Sequence, residues 1–286
     1  MRLARAARRD PRDEAIEATL EEPKDELAAA LLLAFAKVAA VPDETIRRAR
    51  GNGAGAVYQV YDWTPFATLA APYLAAGREA GRRMLDLPGL ELAEREVVEQ
   101  ALSDWIGKRA DRVLPEITAE SQAALRLMLD DHGRRLTQAN EMLLDLRNAI
   151  GLDRRQAVAL QRLHRTLEEP RVEPMLEAFK TRSRAERAMR IASTEIQRSA
   201  MVAESLAYVQ AGHEGQVNLA SMRKQWRIGG PNPCERCLQL AAQDPIGFNE
   251  SFFAMTFTKL GLPRWMSAET PPLHPSCACF VEYVGG

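Results

Sequence analysis

The sequence predicts a mainly α-helical protein, in which long amphipathic helices are followed by a small α+β domain at the C-terminus. Three observations support this fold class. Stretches rich in Ala and Leu, with little β-branching, fill most of the chain up to Gly212. Beyond Gly212 the composition changes, and eight aromatic residues fall between Trp226 and Tyr283. All four cysteines also lie in this last part of the chain.

Length and charge limit the classes of function. A chain of 286 residues is long enough for two or three modules with a sizeable core. The net charge of −1 gives no general attraction to nucleic acid or to a membrane surface. The longest apolar run, from Leu27 to Val41, is interrupted by Lys37 and falls short of the ~20 residues that a membrane-spanning helix needs. We therefore expect a soluble protein with no membrane partner.

The first 88 residues form the first predicted region, which is helical. Residues 14–40 and 64–85 have the composition of strong helix formers. The glycine-rich stretch 51–55 between them lacks the Lys-Ser/Thr pair of a phosphate-binding loop, so it predicts a flexible turn. Pro88-Gly89 marks a break, which gives a boundary at residue 88.

Residues 89–212 form the second predicted region, a helical core. Apolar residues recur at helical intervals from Val98 to Val113, and Pro115 is predicted to end that helix. A second apolar stripe runs from Leu125 to Leu146 and stops at Gly151, which takes the left-handed conformation freely. The residues of this stripe are Leu125, Met128, Leu129, Leu136, Met142, Leu143 and Leu146.

Two further helices are predicted from capping-box spacings. Asp153 and Gln156 are spaced to cap each other, and apolar residues follow them as far as Leu167. Ser183 and Glu186 have the same spacing and predict the start of a last long helix, which ends at Gly212.

The cysteines have the spacing of a metal site. Cys234 and Cys237 are separated by two residues, and two thiols with this spacing in a tight turn can bind the same metal ion. Cys277 and Cys279 form a second pair, with His274 just upstream. Four of these five donors would complete a tetrahedron around a zinc ion, and a closed tetrahedron is typical of a structural site. A disulfide framework is the alternative; because we find no signal peptide, we expect a reducing compartment and favour zinc.

The third predicted region is therefore a zinc-knuckle domain over residues 213–286. Residues 223–228 and 280–284 have the composition of short strands that lead into and out of the two knuckles. From Glu214 onward six basic residues balance six acidic ones. Aromatic platforms for single-stranded nucleic acid come with excess basic charge, so we expect these aromatics to form the core around the metal.

A basic cluster on the last long helix is a second candidate site. It could contact packaged DNA or an acidic protein surface, and a solvated helix face is the alternative. Its residues are Lys180, Arg182, Arg184, Arg187 and Arg190.

One enzymatic function is an alternative to the structural zinc site. Zinc nucleobase deaminases carry H-x-E followed by P-C-x-x-C. This chain has P-C-E-R-C at 233–237, but His213 and Glu214 are adjacent rather than separated by one residue. That reading also leaves His274 and the second cysteine pair without a role. We therefore expect no enzyme, and keep a zinc-containing nucleic-acid-binding protein as the nearer alternative.

Several motifs, in order and spacing, resemble one known family. They are G-L-D-R-R-Q-A-V-A-L (151–160), R-I-A-S-T-E-I-Q-R-S-A (190–200), A-Y-V-Q-A-G (207–212), K-Q-W-R-I (224–228), C-E-R-C (234–237) and P-P-L-H-P-S-C-A-C (271–279). Over residues 92–284 the chain is similar to the phage head morphogenesis proteins, the Mu gpF-like minor capsid proteins. The glycine-rich lead at 229–233 departs from the usual polar lead, and the first ninety residues lie outside the resemblance.

The resemblance implies a virion component of a tailed bacteriophage. Such a protein acts in head morphogenesis, and its expected partners are the portal protein, the major capsid protein and the packaged DNA. It would be made in the host bacterial cytoplasm and reside in the virion head. The resemblance implies a structural role there rather than a catalytic one.

Overall fold

The computed structural model describes residues 11–86, 90–135, 145–146, 148–167, 172–230, 233–257, 263–275 and 277–285. Within these ranges the protein is mainly helical, with a small sheet region near the C-terminus, as the sequence predicts. The helices are α1 (Pro11–Ala39), α2 (Asp43–Arg50), α3 (Ala54–Gln59), α4 (Thr64–Ala67), α5 (Ala70–Leu85), α6 (Arg95–Arg135), α7 (Arg154–Thr166), α8 (Val172–His213) and α9 (Glu235–Ala241). None of the described helices is both long and apolar enough to cross a bilayer.

The chain divides into two compact units, each assembled from separate stretches. The first combines Met1–Lys24, Leu74–Gly107 and Arg190–Gly286, and the second combines Asp25–Tyr73 and Lys108–Met189. Long helices such as α6 and α8 therefore supply residues to both units. The predicted zinc-knuckle region, 213–286, lies wholly in the first unit.

Two of the predicted helix signals are confirmed. Asp153 caps α7, because its side chain accepts a hydrogen bond from the Gln156 backbone N–H at 2.9 Å, and the Gln156 side chain accepts one from the Asp153 N–H at 3.1 Å. Gly151 has a φ of +84°, the left-handed conformation expected of a helix terminator. A Cβ there would also meet the Phe35 ring at 2.8 Å. Of the predicted apolar stripe, Leu136, Met142 and Leu143 lie outside the described residues.

Two other helix signals are wrong. Pro115 does not end a helix, because α6 continues through it to Arg135. The neighbouring Val113 and Ile117 are buried, and this packing outweighs the one backbone hydrogen bond that proline removes. Ser183 does not begin a helix either; it lies inside α8, buried, and its carbonyl accepts a hydrogen bond from Gln156 Nε2 at 2.9 Å.

The C-terminal part contains two small antiparallel sheets. The strands are β1 (Arg223–Arg227), β2 (Ile246–Gly247), β3 (Phe252–Phe257), β4 (Pro263–Ala268) and β5 (Phe280–Val284). The first sheet has the order β2-β1-β5, with Trp226 opposite Val281, and the second is the β3-β4 pair. The predicted strands at 223–228 and 280–284 are thus confirmed as β1 and β5.

A buried cluster joins these sheets to α9. Trp226 and Phe252 meet edge to face, with ring centroids 5.5 Å apart. Around them lie the other buried members: Cys237, Leu240, Ala254, Cys277, Cys279 and Val281. Aromatic residues therefore do pack with the cysteines, as expected. Phe253, with 54% of its surface exposed, faces away from this core.

Candidate metal centre

The first cysteine pair is positioned by the start of α9. Cys234 is the N-terminal cap of this helix, with extended backbone angles, and its Sγ accepts a hydrogen bond from the Cys237 N–H at 3.5 Å. A residue with extended backbone at a cap turns its side chain back over the first helical turn. Both sulfurs consequently lie on the same side of the turn, as the C-x-x-C spacing predicts.

The second pair lies in the segment between β4 and β5. The Cys277 N–H donates to the His274 carbonyl at 3.1 Å, which folds this segment into a turn. Cys279 directly precedes β5, whose pairing with β1 fixes its position. Cys277 and Cys279 are both buried.

The long helix α8 anchors this second segment from outside. Gln197 Nε2 donates to the Cys279 carbonyl at 3.2 Å, and Arg198 Nη2 donates to the Pro272 carbonyl at 3.4 Å. Arg198 is itself oriented by Glu195, 2.7 Å away. Polar groups behind the ligand-bearing backbone hold the donors in place, as they do around metal sites generally.

Backbone contact also restricts the path of the chain between β1 and the first cysteine pair. A Cβ at Gly229 would lie 2.0 Å from the Ala278 carbonyl oxygen. Only glycine lets the chain leaving β1 pass so close to the residue between Cys277 and Cys279. The glycine at position 229 thus lies where the chain leaving β1 touches the segment that carries Cys277 and Cys279.

All five predicted donors come together. The ligand atoms of Cys234, Cys237 and His274 lie within 4.8 Å of one another, and so do those of Cys237, Cys277 and Cys279. His274 Nε2 is 3.0 Å from Cys234 Sγ and 3.4 Å from Cys237 Sγ. The Cys237 and Cys277 sulfurs are 3.7 Å apart. These groups could hold a metal ion.

The separations fit a tetrahedral ion of the size of zinc. Metal–sulfur bonds of about 2.3 Å and metal–nitrogen bonds of about 2.0–2.1 Å give sulfur–sulfur edges of about 3.8 Å and sulfur–nitrogen edges of about 3.6 Å. The Cys237–Cys277 and Cys237–His274 distances, 3.7 and 3.4 Å, are close to these edges. The Cys234–His274 distance of 3.0 Å is shorter, so a small outward movement of Cys234 would accommodate the ion.

The imidazole of His274 is oriented for ligation. Its Nδ1 lies 2.9 Å from the Pro275 carbonyl oxygen, which can only accept a hydrogen bond. Nδ1 therefore carries the proton in the neutral ring, and the Nε2 lone pair is directed toward Cys234 and Cys237. A metal-bound histidine is usually fixed in this way by a hydrogen bond from its other nitrogen.

The electrostatics of the cluster also favour a cation. A hydrogen bond from the Cys279 thiol lowers the pKa of Cys277 to about 5. Burial, followed by the Cys277 charge, raises the pKa of Cys237 to about 12, and the hydrogen bond to Cys277 together with burial raises the pKa of Cys279 far above its ordinary value. Without an ion, burial and the Cys277 thiolate thus keep the Cys237 and Cys279 thiols protonated. A divalent cation would allow several of them to ionise.

The disulfide alternative is not what the structure contains. All four cysteines are free. The 3.7 Å between the Cys237 and Cys277 sulfurs is far longer than the S–S bond of about 2.05 Å.

The basic cluster on α8 does not form one exposed patch. Arg187 is 1% exposed, and its guanidinium donates to Ser121 Oγ at 2.7 Å and to the Leu152 carbonyl at 3.1 Å. Arg184 donates to the Ile150 carbonyl, and burial lowers its pKa to about 10. Among the five, Arg182 has an exposed side chain, while Lys180, Arg184 and Arg190 are half-buried. Arg187 is thus a packing residue in this fold.

Glu214, the proton-transferring acid of the deaminase hypothesis, is hydrogen-bonded elsewhere. Glu214 accepts hydrogen bonds from the backbone N–H groups of Ala93 and Glu94, both at 3.0 Å, just before α6 begins. These bonds and those from Gln210 hold the pKa of Glu214 below its ordinary value. His213 is the last residue of α8. Nothing in these contacts favours proton transfer by Glu214 at a metal.

Sequence reasoning missed the residues that support the donors. Gln197 and Arg198 lie in a helix and follow no ligand spacing, so only their place in the 190–200 motif could have drawn attention to them. Gly229 lies in a stretch noted for its unusual glycines, but its contact with Ala278 depends on the fold.

Comparison with protein-family models, with curated proteins and with solved structures finds no match for this chain.

Proposed function

We propose that this protein is a minor head protein of a tailed bacteriophage, which acts in head morphogenesis through contacts with the portal and the shell. Its C-terminal module would be a zinc knuckle closed by a structural zinc ion. The portal protein and the major capsid protein are the partners, with the packaged DNA as a further one, and the virion head is the location.

The observation that carries the proposal is the contact between motifs that are far apart in the sequence. Gln197 and Arg198, from the 190–200 motif, hydrogen-bond to the backbone of Cys279 and Pro272, from the 271–279 motif. Tyr208, from the 207–212 motif, packs on Tyr283 with ring centroids 4.3 Å apart. Sequence motifs whose order and spacing resemble one family thus pack against one another.

The donor set supports a structural ion rather than a catalytic one. A catalytic zinc keeps one position open for water, whereas five donors around one ion leave no position open. Cys237, Cys277 and Cys279 are buried among Trp226 and Phe252, away from water. The ion would cross-link the start of α9 to the segment before β5, in a module with a small core of its own.

The nucleic-acid-binding alternative gains little support. Arg187 is buried and Arg184 is half-buried and hydrogen-bonded, which removes two of the five basic residues from the surface that DNA would contact. Strong binding to DNA requires several free cationic side chains along one face.

The proposal is tested by locating the protein in particles of the phage that encodes it. Quantitative mass spectrometry of purified heads should find a few copies per particle, and gold-labelled antibody should mark the portal vertex or the inner shell. Co-expression with the portal protein should give a complex that survives gel filtration. Absence from mature heads and from assembly intermediates alike would contradict the proposal.

A further inference from the structure

The helix α1 contains an uninterrupted apolar run. From Leu27 to Ala36 every residue is Leu, Ala or Phe. A helix that is apolar all round is normally buried all round. In this protein one side of the run is buried, and it consists of Leu27, Ala28, Leu31, Ala34 and Phe35. The other side is exposed to solvent, although its residues are equally apolar.

The exposed side has the spacing of a helix–helix contact. Leu33 keeps 56% of its surface exposed and Leu32 keeps 37%. Ala29 and Ala36 are exposed as well, and each lies about one turn from this pair of leucines. We call these four residues the α1 face. Alanines beside two leucines let a second helix approach to the usual distance of about 8–10 Å.

The two ends of the α1 face carry charges of opposite sign. Asp25 and Glu26 precede the face, and Lys37 follows it; all three are exposed. Within the described part of the chain, none of these three side chains forms an ion pair. The face is therefore acidic at its N-terminal end and basic at its C-terminal end, which makes it complementary to its own reversed copy.

We propose that the α1 face binds the same face of a second copy of this chain, with the two helices antiparallel. The two-fold axis passes between Leu32 and Leu33, so that Leu32 packs on Leu33 of the second copy. Lys37 then lies within three residues, about 4.5 Å along the helix axis, of the two acidic side chains of the second copy. A two-fold interface makes each of these contacts twice.

The charges also select the orientation. A parallel pair would place Lys37 beside Lys37 and the acidic residues beside each other, which is unfavourable. The antiparallel pair instead surrounds an apolar centre with opposite charges, and this arrangement favours a copy of the same chain over an unrelated helix. The proposal uses no residue of the candidate metal centre and does not depend on it.

The size of the α1 face indicates a weak dimer. The face is about 18 Å long and one helix, about 10 Å, wide, so its area is on the order of 200 Å². Stable interfaces bury about 800 Å² on each partner. We therefore expect a dissociation constant of about 10–100 µM, with monomers in dilute solution.

Sedimentation velocity of the full chain, from about 1 to 300 µM, measures this equilibrium. The wild type should shift from monomer to dimer across this range. Leu33→Glu places a charge at the two-fold axis and should abolish the dimer, whereas Val97→Glu, at a comparably exposed apolar residue of α6, should leave it unchanged. Circular dichroism of each variant checks that it has folded. A wild type that stays monomeric throughout overturns the proposal, as does a dimer that survives Leu33→Glu.

A pair of charge variants tests the antiparallel arrangement. Lys37→Glu makes both ends acidic, and the double variant Asp25→Lys/Glu26→Lys makes both ends basic. Each variant alone should dimerise at least about tenfold more weakly than the wild type, because attractive pairs at the rim become repulsive. An equimolar mixture of the two should regain the association. If the mixture associates no better than the separate variants, the antiparallel pairing is overturned.

Discussion

Gln197 and Cys279 lie 82 positions apart in the sequence, and the Gln197 side-chain amide donates a hydrogen bond of 3.2 Å to the Cys279 carbonyl oxygen. This bond connects α8, the longest of the described helices, to the residue that ends the second cysteine pair. Both groups are buried, so neither can exchange its partner for water. The position of the candidate metal centre therefore depends on α8 as well as on the cysteine segments.

Removal of this hydrogen bond should loosen the metal centre. Gln197→Ala leaves the buried Cys279 carbonyl without its partner, which should lower the free energy of unfolding by about 1–3 kcal/mol. Zinc affinity, measured by competition with a chromogenic chelator, should fall in parallel. Arg182→Ala, at a position with 82% of the side chain exposed, is the control and should change stability by less than about 0.5 kcal/mol. Equal stability and affinity in both variants would contradict the anchoring role.

Zinc itself should stabilise the protein. Metal analysis of the purified full chain should find one zinc per chain, and a chelator should lower the temperature of unfolding. Zinc at about 100 times its dissociation constant should add about 2.7 kcal/mol to the free energy of unfolding. Calorimetry with and without added zinc measures this difference. A chain that unfolds at the same temperature in chelator and in zinc would rule out a structural ion.

Gly229 and Gly230 offer a matched pair of substitutions. Gly229→Ala would place a methyl group 2.0 Å from the Ala278 carbonyl oxygen, whereas Gly230→Ala would make an ordinary contact of 3.6 Å with the Ala278 side chain. We expect Gly229→Ala to destabilise the module by about 1–3 kcal/mol and to weaken zinc binding, because the segment leaving β1 or the segment around Ala278 must move. Denaturant unfolding and metal titration measure both effects. Similar values for the two variants would argue against close contact at Gly229.

Arg187 should be needed for the fold and not for binding to a partner. Arg187→Met removes the donor from two buried acceptors, Ser121 Oγ and the Leu152 carbonyl, and each acceptor left unpaired costs about 1–3 kcal/mol. Denaturant unfolding should show this loss, whereas Arg182→Ala should not. If Arg187→Met were as stable as the wild type but bound DNA more weakly, Arg187 would be a contact residue instead.

The buried carboxyl group of Glu204 should make the free energy of unfolding depend on pH. This carboxyl group is buried beside Arg12, and burial raises its pKa from 4.5 to about 7. Tyr208 and Tyr283 also lie near enough to interact with it. The folded state holds this proton more tightly than the unfolded state. The stabilisation that the protonated carboxyl gives to the folded state is therefore fully present below pH 4.5. It is lost as the pH rises toward about 7.

Glu204→Gln should therefore flatten the fall in the free energy of unfolding between pH 4.5 and 7. Urea unfolding at several pH values measures the slope. Glu186→Gln, at an exposed position on the same helix, should keep the slope of the wild type. An unchanged slope in Glu204→Gln would show that this carboxyl titrates at its ordinary pKa.

Features that depend on neighbours in the sequence could be predicted. The capping box at Asp153 and Gln156 is formed by residues one helical turn apart. Cys234 and Cys237 share one turn for the same reason, and the composition of 223–228 and 280–284 sufficed to predict two strands. The approach of His274 to the first cysteine pair, and of Cys237 to the second pair, could also be inferred, because donors clustered in one region can share one ion.

Features decided by distant contacts could not be predicted. Pro115 has the local signature of a helix end, yet buried neighbours on either side keep α6 continuous. Ser183 has the spacing of a cap but is packed inside α8. Arg187 reads as a surface charge in the sequence, whereas its acceptors Ser121 and Leu152 come from remote parts of the chain.

The sequence by itself determined the helical class, two of the short strands and the residues that could bind a metal, because residue type and short spacings act through local geometry. Only the tertiary structure decided that α8 holds Cys279 through Gln197, that Gly229 must lack a side chain, and that Arg187 is buried. Each of these depends on which distant atoms meet. Burial of polar groups makes these contacts specific, because a polar group removed from water is destabilising unless it finds a hydrogen-bond partner.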